Sequence, residues 1–325
     1  MSCIENQGNG QIMTSPRISI IAPIYNEAET IPALFPRVKE VMDAVGAPWE
    51  LVLVDDGSRD GSTGMIRALA AQDARVRPVI FARNFGHQLA VTAGLDYSRG
   101  DAVVIIDADL QDPPEVIPHM IAKWQEGFEV VYGVRTDREG ENWFKLATAS
   151  LFYRLIYRIT DLNIPLDTGD FRLLDRKVVN VMNQMRERHR FLRGMSTWVG
   201  FRQTGVEYKR AARFAGTTKY PLKKMLKFAN DAITGFSYLP LQIATYLGFA
   251  SAGISILAIP VVAVARASGS QAFYGQATTL IAVLFLGGVQ LISLGILGEY
   301  LGRLYDQVKG RPLYIVREAP EDRHD

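Results

Sequence analysis

The segment VVIIDADLQDPPE, residues 103–115, sets three oxygen-bearing side chains directly after a run of β-branched residues. Asp107 and Asp109 are two apart, so in an extended segment their carboxylates leave the same face. Two like charges held that close are unfavourable unless a cation lies between them. Gln111 adds a neutral oxygen two residues further on. Such a donor set suits a hard divalent ion, Mg²⁺ or Mn²⁺, better than zinc. No zinc is expected, because His87, His119, His189 and His324 form no ligand-spaced cluster. A merely solvated turn would spell the same word, so the rest of the chain has to decide.

Two other words carry chemistry. APIYNE (22–27) opens a loop with Pro23, Tyr25 and Glu27: a ring to lie beside a base, and a carboxylate near the same pocket. VDDGSRDGS (54–62) offers Asp55 or Asp56 to a base N–H or a ribose hydroxyl, while Gly57 and Ser58 let the chain turn sharply. Asp60 and Ser62 read equally well as caps of a helix near Thr63. No GxGxxG follows the first strand and no GxxxxGK[ST] occurs, so neither familiar phosphate-cradling loop is present. Arg83 ends a strand on the same side. His87, in RNFGHQLA ahead of a helix, reads as a supporting or capping group rather than a catalyst.

These words need elements to hold them. Short β-branched runs at 18–22, 50–55, 76–81, 102–107 and 129–133 alternate with helical stretches near 30–45, 62–72, 86–98 and 115–125. That alternation predicts an α/β fold, a mostly parallel sheet with helices on both faces. Ligands then bind outside the carboxyl ends of the strands, where the three acidic words fall.

The chain of 325 residues has a formal charge of +2, which gives no reason to expect a nucleic-acid partner. Cys3 is the single cysteine, so no intrachain disulfide or thiolate cluster is expected. The opening seventeen residues hold no apolar run, and no signal peptide is expected there. The high apolar content, 48%, is concentrated late in the chain. No charged residue stands between Asp231 and Arg266, nor between Arg266 and Glu299. Each stretch predicts a transmembrane helix, about 241–264 and 277–298. Small residues in both (Gly248, Ala252, Gly253; Gly287, Gly288, Gly295) permit close helix contact and self-association. Arg210, Arg213, Lys219, Lys223, Lys224 and Lys227 precede the first span, and Arg303, Lys309 and Arg311 follow the second. The positive-inside rule therefore places both flanks, and the large N-terminal domain, in the cytoplasm.

Taken together, ISIIAPIYNEAETI, ELVLVDDGSRDGS, ARNFGHQLAVTAGLDYSRGD, IIDADLQDPPE and TGDFRLLDRKVV resemble a family-2, GT-A-fold glycosyltransferase. With the membrane hairpin they resemble, more narrowly, the bacterial GtrB-like polyprenyl-phosphate glycosyltransferases, relatives of dolichol-phosphate mannose synthase. The likeness runs from about residue 17 to 317. It implies a flexible start (1–16), a catalytic domain (17–215), a juxtamembrane amphipathic helix (216–236), two spans within 237–300 and a cytoplasmic tail (301–325). It further implies a multi-pass protein of the inner membrane, and an oligomeric one.

The resemblance implies that Pro23, Tyr25, Glu27 and Asp55 surround the nucleoside. Asp107 would approach the ribose and the metal, Asp109 and Gln111 the metal on the diphosphate. Asp170 would sit beside sugar and acceptor. Arg172, two residues after Asp170, is itself expected to pair with it rather than with the acceptor phosphate. No QxxRW follows, which disfavours a processive polymerase. A polyprenyl phosphate acceptor is already an anion at neutral pH, so Asp170 is needed more to orient than to remove a proton. Cations to hold that phosphate are sought among Arg135, Arg138, Arg202, Lys209, Arg210 and Arg213. Residues 143–159 and 219–236 are expected to lie at the membrane interface. The expected donor is UDP-glucose, ahead of GDP-mannose, UDP-N-acetyl sugars and amino-arabinose donors. The expected product is a β-linked lipid-phosphate sugar.

Overall fold

The computed structural model describes residues 17–136, 168–210, 237, 239–269 and 276–320. Eight strands form one sheet: β1 (Ile18–Ile24), β2 (Trp49–Asp55), β3 (Val76–Phe81), β4 (Ala102–Ile105), β5 (Val130–Arg135), β6 (Thr168–Asp175), β7 (Gln203–Tyr208) and β8 (Val316–Glu318). Their spatial order is β7-β5-β6-β4-β1-β2-β3-β8. The first four strands pair in parallel as expected, but the sheet is mixed. β6 runs antiparallel between β4 and β5, and β8 runs antiparallel along β3. Neither β6, β7 nor β8 stands out in the sequence by alternation alone.

Alternation along the parallel strands feeds two cores. Ile18, Ile20, Ala22 and Ile24 of β1 pack on one face with Ile31, Leu34, Val38 and Met42 of α1 (Ile31–Val45). Those four helical residues recur at intervals of three and four, one stripe of an amphipathic helix. Gly46 ends α1 in the left-handed region, its N–H donating back to the Met42 carbonyl. The other face carries Ile21, Val52, Val54 and Val79, covered by α3 (His87–Tyr97), α5 (Arg176–Gln184) and α6 (Leu192–Trp198). Two shorter helices, α2 (Ser62–Gln72) and α4 (Ile117–Gln125), complete the layer on α1's side.

The antiparallel β6 matters most for function. Ile105 of β4 faces Arg172 of β6, so two residues beyond the ladder Asp107 comes level with Asp170. The start of β6 thus joins the carboxyl ends of its neighbours on one edge of the sheet.

Two long helices follow, α7 (Leu239–Ala267) and α8 (Gln276–Val308). Both are long and apolar enough to cross a membrane. Large apolar side chains such as Phe249, Ile254, Leu257, Val283 and Leu291 are exposed along them, which water would not tolerate over so wide a surface. The Tyr300 hydroxyl donates to the Ser237 carbonyl at 2.7 Å, joining the end of the second helix to the start of the first. The chain after α8 returns to the sheet as β8. Residues 1–16, Arg138, Arg213 and the stretches 143–159 and 219–236 lie outside the described residues.

Candidate active site

The carboxyl edge of the sheet is laced together by its own loops. Asn26, with φ of 55°, accepts from Arg59 N–H, and its own N–H donates to Ser58 Oγ. Glu27 N–H donates to Ser62 Oγ, and Ala28 N–H to Asp60. Asp60 also accepts from Ser62 N–H, but the N-cap of that helix is Gly61 and no side chain caps it, contrary to the cap expected of Asp60 or Ser62. Tyr25 stays exposed beside these contacts, open to a flat ring. Pro23 lies elsewhere than expected: it is buried within β1, opposite Val54, and opens no loop.

Asp55 ends β2 and Asp56 follows it. Both are buried, and both carboxylates are engaged by the protein itself. Asp55 accepts from Ser58 N–H and the Thr63 hydroxyl. Asp56 accepts from Phe85 and Gly86 N–H, fastening the loop before α3 to the end of β2. Burial pushes the Asp56 carboxyl up while those two amides pull it down, and the net direction is up. These contacts fix the turn after β2 and the loop before α3.

The segment after β4 does not stay extended. Leu110 has φ of 58°, and Asp109 Oδ1 accepts from Gln111 N–H, so the chain turns at once. Asp107, Asp109, buried Asp112 and Asp170 gather at this edge. Burial pushes the Asp107 carboxyl up to about 6, helped by Asp170, Asp112 and Asp109 and opposed by His87. Its Oδ1 is buried without a hydrogen-bond partner. Among the described residues no three of His, Cys, Asp or Glu form a ready-made metal cage. Mg²⁺ and Mn²⁺ can be held by one or two carboxylates, with water and phosphate oxygens completing the shell. An orphaned carboxylate oxygen at an over-acidic edge fits such an ion. Gln111 contributes its backbone to the turn.

Asp170 is held at both of its oxygens. Its side chain is 11% exposed, and Arg193 Nε donates to Oδ1 at 2.7 Å. The other oxygen faces His87 Nε2 and Gln88 Nε2, each at 3.2 Å. Burial alone would raise this carboxyl, but Arg193 and His87 hold it well below the usual carboxylate range. Reciprocally, burial would lower His87, yet Asp170 and Asp107 hold it up at about 9. The imidazole also lies 3.8 Å from Asp107 Oδ1, so it stands between the two acids. His87 is thus a partner of Asp170, while the N-cap of α3 is Gly86.

Arg172 differs from expectation. It is buried, donating to the Ser196 hydroxyl and, at 2.9 Å, to the Gly169 carbonyl. Burial lowers it to about 10. The arginine on Asp170 is Arg193, twenty-three residues later, which no local spacing announces. Gln88 and Asp112 were equally silent, although Asp112 closes the word DADLQD.

The remaining cations divide. Arg135 and Arg210, at the ends of β5 and β7, each lie 3.9 Å from Asp112 Oδ1, where Tyr208 also donates. Lys209 precedes Arg210 in sequence. Gly169 lacks a Cβ where Arg135 passes: one placed there would meet Nη2 at 2.5 Å. Arg83 is exposed over the Phe85 ring at the loop before α3. Arg202 is corrected: it precedes β7, so it sits at the opposite edge of the sheet, over the Phe128 ring.

Comparison with known proteins fits this edge of acids and cations. The family model "Glycosyl transferase family 2" matches residues 19–182, and the chain belongs to that family of glycosyltransferases. It is 50% identical to the uncharacterized glycosyltransferase YkcC of Bacillus subtilis, over 93% of each chain. It is 43% identical to the SfII prophage-derived bactoprenol glucosyl transferase of Shigella flexneri, covering 93% of this chain and 98% of that one. A prophage bactoprenol glucosyl transferase homolog of Escherichia coli is 42% identical, with 93% and 99% covered.

Proposed function

We propose that the protein transfers one glucose from UDP-glucose to undecaprenyl phosphate at the cytoplasmic face of the inner membrane, with inversion. The observation that carries this reading is Asp170. A carboxylate gripped by Arg193 and His87 and held well below its usual range is a poor proton acceptor. It suits an acceptor that arrives already deprotonated, as a phosphate monoester does near neutral pH. The two apolar helices support a lipid carrier for that phosphate. The relatives named as bactoprenol glucosyl transferases support glucose and a polyprenyl chain.

In this reading a phosphate oxygen of the acceptor attacks glucose C1. The C1–O bond to the β-phosphate breaks on the opposite side, and UDP departs with that electron pair. One displacement turns an α-linked donor into a β-linked product. Tyr25 and the 58–62 loop line the nucleoside end. Arg135, Lys209 and Arg210 hold the acceptor phosphate against the repulsion of the donor. Mg²⁺ or Mn²⁺, held by Asp107 and Asp109, would supply charge to meet the developing diphosphate.

Membranes containing the protein, given polyprenyl phosphate and a mixture of sugar nucleotides, test the reading by mass spectrometry of the lipid fraction. A β-linked glucosyl phospholipid is expected. Preferential transfer of another sugar overturns the donor, label confined to long polysaccharide overturns the acceptor, and an α-linked product overturns the single displacement.

A further inference from the structure

Asp170 is held at one oxygen from α6 and at the other from α3, and the connection preceding each helix is tied to the last turn of the second apolar helix or to the segment that follows it. Ahead of α6, Gln307 near the end of α8 bonds the backbone twice. Its Nε2 donates to the Arg186 carbonyl and its Oε1 accepts from Arg188 N–H, both at 3.1 Å. The Arg188 guanidinium donates to the Arg311 carbonyl. Ahead of α3, Ala82 N–H donates to the Ile315 carbonyl at 2.9 Å, just before the loop that Asp56 fastens.

Tyr314 links the two arms. Its ring stacks on Phe81 at the end of β3, with centroids 5.0 Å apart. Its hydroxyl donates to Asp96 of α3 at 2.5 Å, and Asp96 also receives both arms of the Arg186 guanidinium at 2.8 and 2.9 Å. From one short stretch of chain, contacts run to β3, to α3 and to the connection that leads into α6.

We infer that residues 307–318 are the positioning element of the active site, coupling the membrane anchor to the two helices that aim Asp170. This rests on the transfer reaction proposed above, for an acceptor confined to the bilayer. β8 has three residues on a sheet edge, too little to define the fold by itself. The Gln307 bonds are exposed, and such bonds add little to stability. Geometry is a different matter, since a displacement of about 1 Å at a reacting group can cost up to ~100-fold in rate.

The test uses the full-length protein in lipid vesicles with polyprenyl phosphate, comparing wild type, Gln307→Ala and Tyr314→Phe. Tyr314→Phe keeps the ring stack and removes the bond to Asp96. We expect kcat to fall about tenfold in Gln307→Ala, with the donor KM within about twofold of wild type. Backbone amide exchange should quicken at 186–193 in Gln307→Ala, and around residues 92–97 and 186–193 in Tyr314→Phe. Unchanged kcat in Gln307→Ala overturns the inference, as does unchanged exchange at 186–193. Because Gln307 is exposed, its variant remains informative even where Tyr314→Phe inserts poorly. An inactive wild type would instead refute the proposed reaction, and the exchange data would still decide the coupling.

Discussion

Arg193 Nε donates to Asp170 Oδ1 at 2.7 Å, on a carboxylate whose other oxygen faces His87 at 3.2 Å. The pair joins the start of α6 to the start of β6, and Gln88 braces it by accepting from Leu192 N–H. Breaking a largely buried ion pair on one side strands the other charge, at a cost on the order of 3 kcal/mol. Arg193→Ala should therefore lower both the thermal midpoint and the rate. Arg193→Lys should recover most of the stability and little of the rate, because a flexible ammonium cannot reproduce the guanidinium's direction. Melting curves alongside kcat measure this. A lysine variant with wild-type kcat would show that Asp170 needs only a nearby charge.

How much of this was legible beforehand follows from range. β1 to β5 lie within two residues of their expected starts, because alternation and turn residues are local signals. The acidic words fell where the strand ends put them. Arg193 was invisible, because its meeting with Asp170 depends on β6 running antiparallel, and an isolated TGDFRLLD does not state its direction. Arg172 attracted attention for the opposite reason: it is near in sequence and shares a face of β6, but that face turns it under the site toward Ser196. Arg202 failed through strand polarity, one residue before β7 instead of after it.

The metal assignment rests on the orphaned Asp107 oxygen and the acidic turn around Asp109. Asp109→Asn should leave folding and membrane insertion intact and remove most transfer. Chelation of divalent ions should do the same to wild type, reversibly. Labelled lipid product, measured under saturating Mg²⁺ or Mn²⁺, is the check. Near-normal turnover of the asparagine variant would exclude Asp109 as a ligand.

Gly57 offers a sharper steric test. Its φ is +72°, and a Cβ there would stand 2.6 Å from the Arg83 carbonyl carbon and from Asn84 N, both backbone atoms. Gly61 also has a positive φ, +99°, but a Cβ would meet nothing within 4 Å. Gly61→Ala should thus suffer only the left-handed strain, about 1–2 kcal/mol. Gly57→Ala should suffer more and also push the 83–86 loop off Asp56, raising the donor KM. Equal melting temperatures for the two variants would show that the loop yields freely.

His87 sets a pH dependence with a definite sign. Its folded value, about 9, lies above the ordinary value near 6.5, with burial opposing the shift and Asp170 and Asp107 producing it. The stability it contributes is full below about pH 6.5 and is lost as the pH rises through about 9. With divalent ions chelated, the gap in melting temperature between wild type and His87→Gln should narrow steadily from pH 6 to pH 10. The imidazole is 42% exposed, so the gap will be modest. A gap that widens with pH would mean that the neutral ring is the favoured form.

The last prediction concerns topology, where structure adds to charge statistics. Basic residues flank the pair of helices, with only Arg266 between them. Independently, the chain after α8 rejoins the catalytic sheet as β8, and Tyr300 bonds back to Ser237 at the start of α7. Both flanks must then lie on the catalytic side of any membrane that the helices cross. Ser268, exposed at the end of α7, should be on the other side. In intact cells, a Ser268→Cys variant should react with a membrane-impermeant thiol reagent, whereas native Cys3 should react only after the cells are opened. Labelling of Cys3 before Cys at 268 would invert the orientation. Equal labelling of both in intact cells would remove the hairpin altogether.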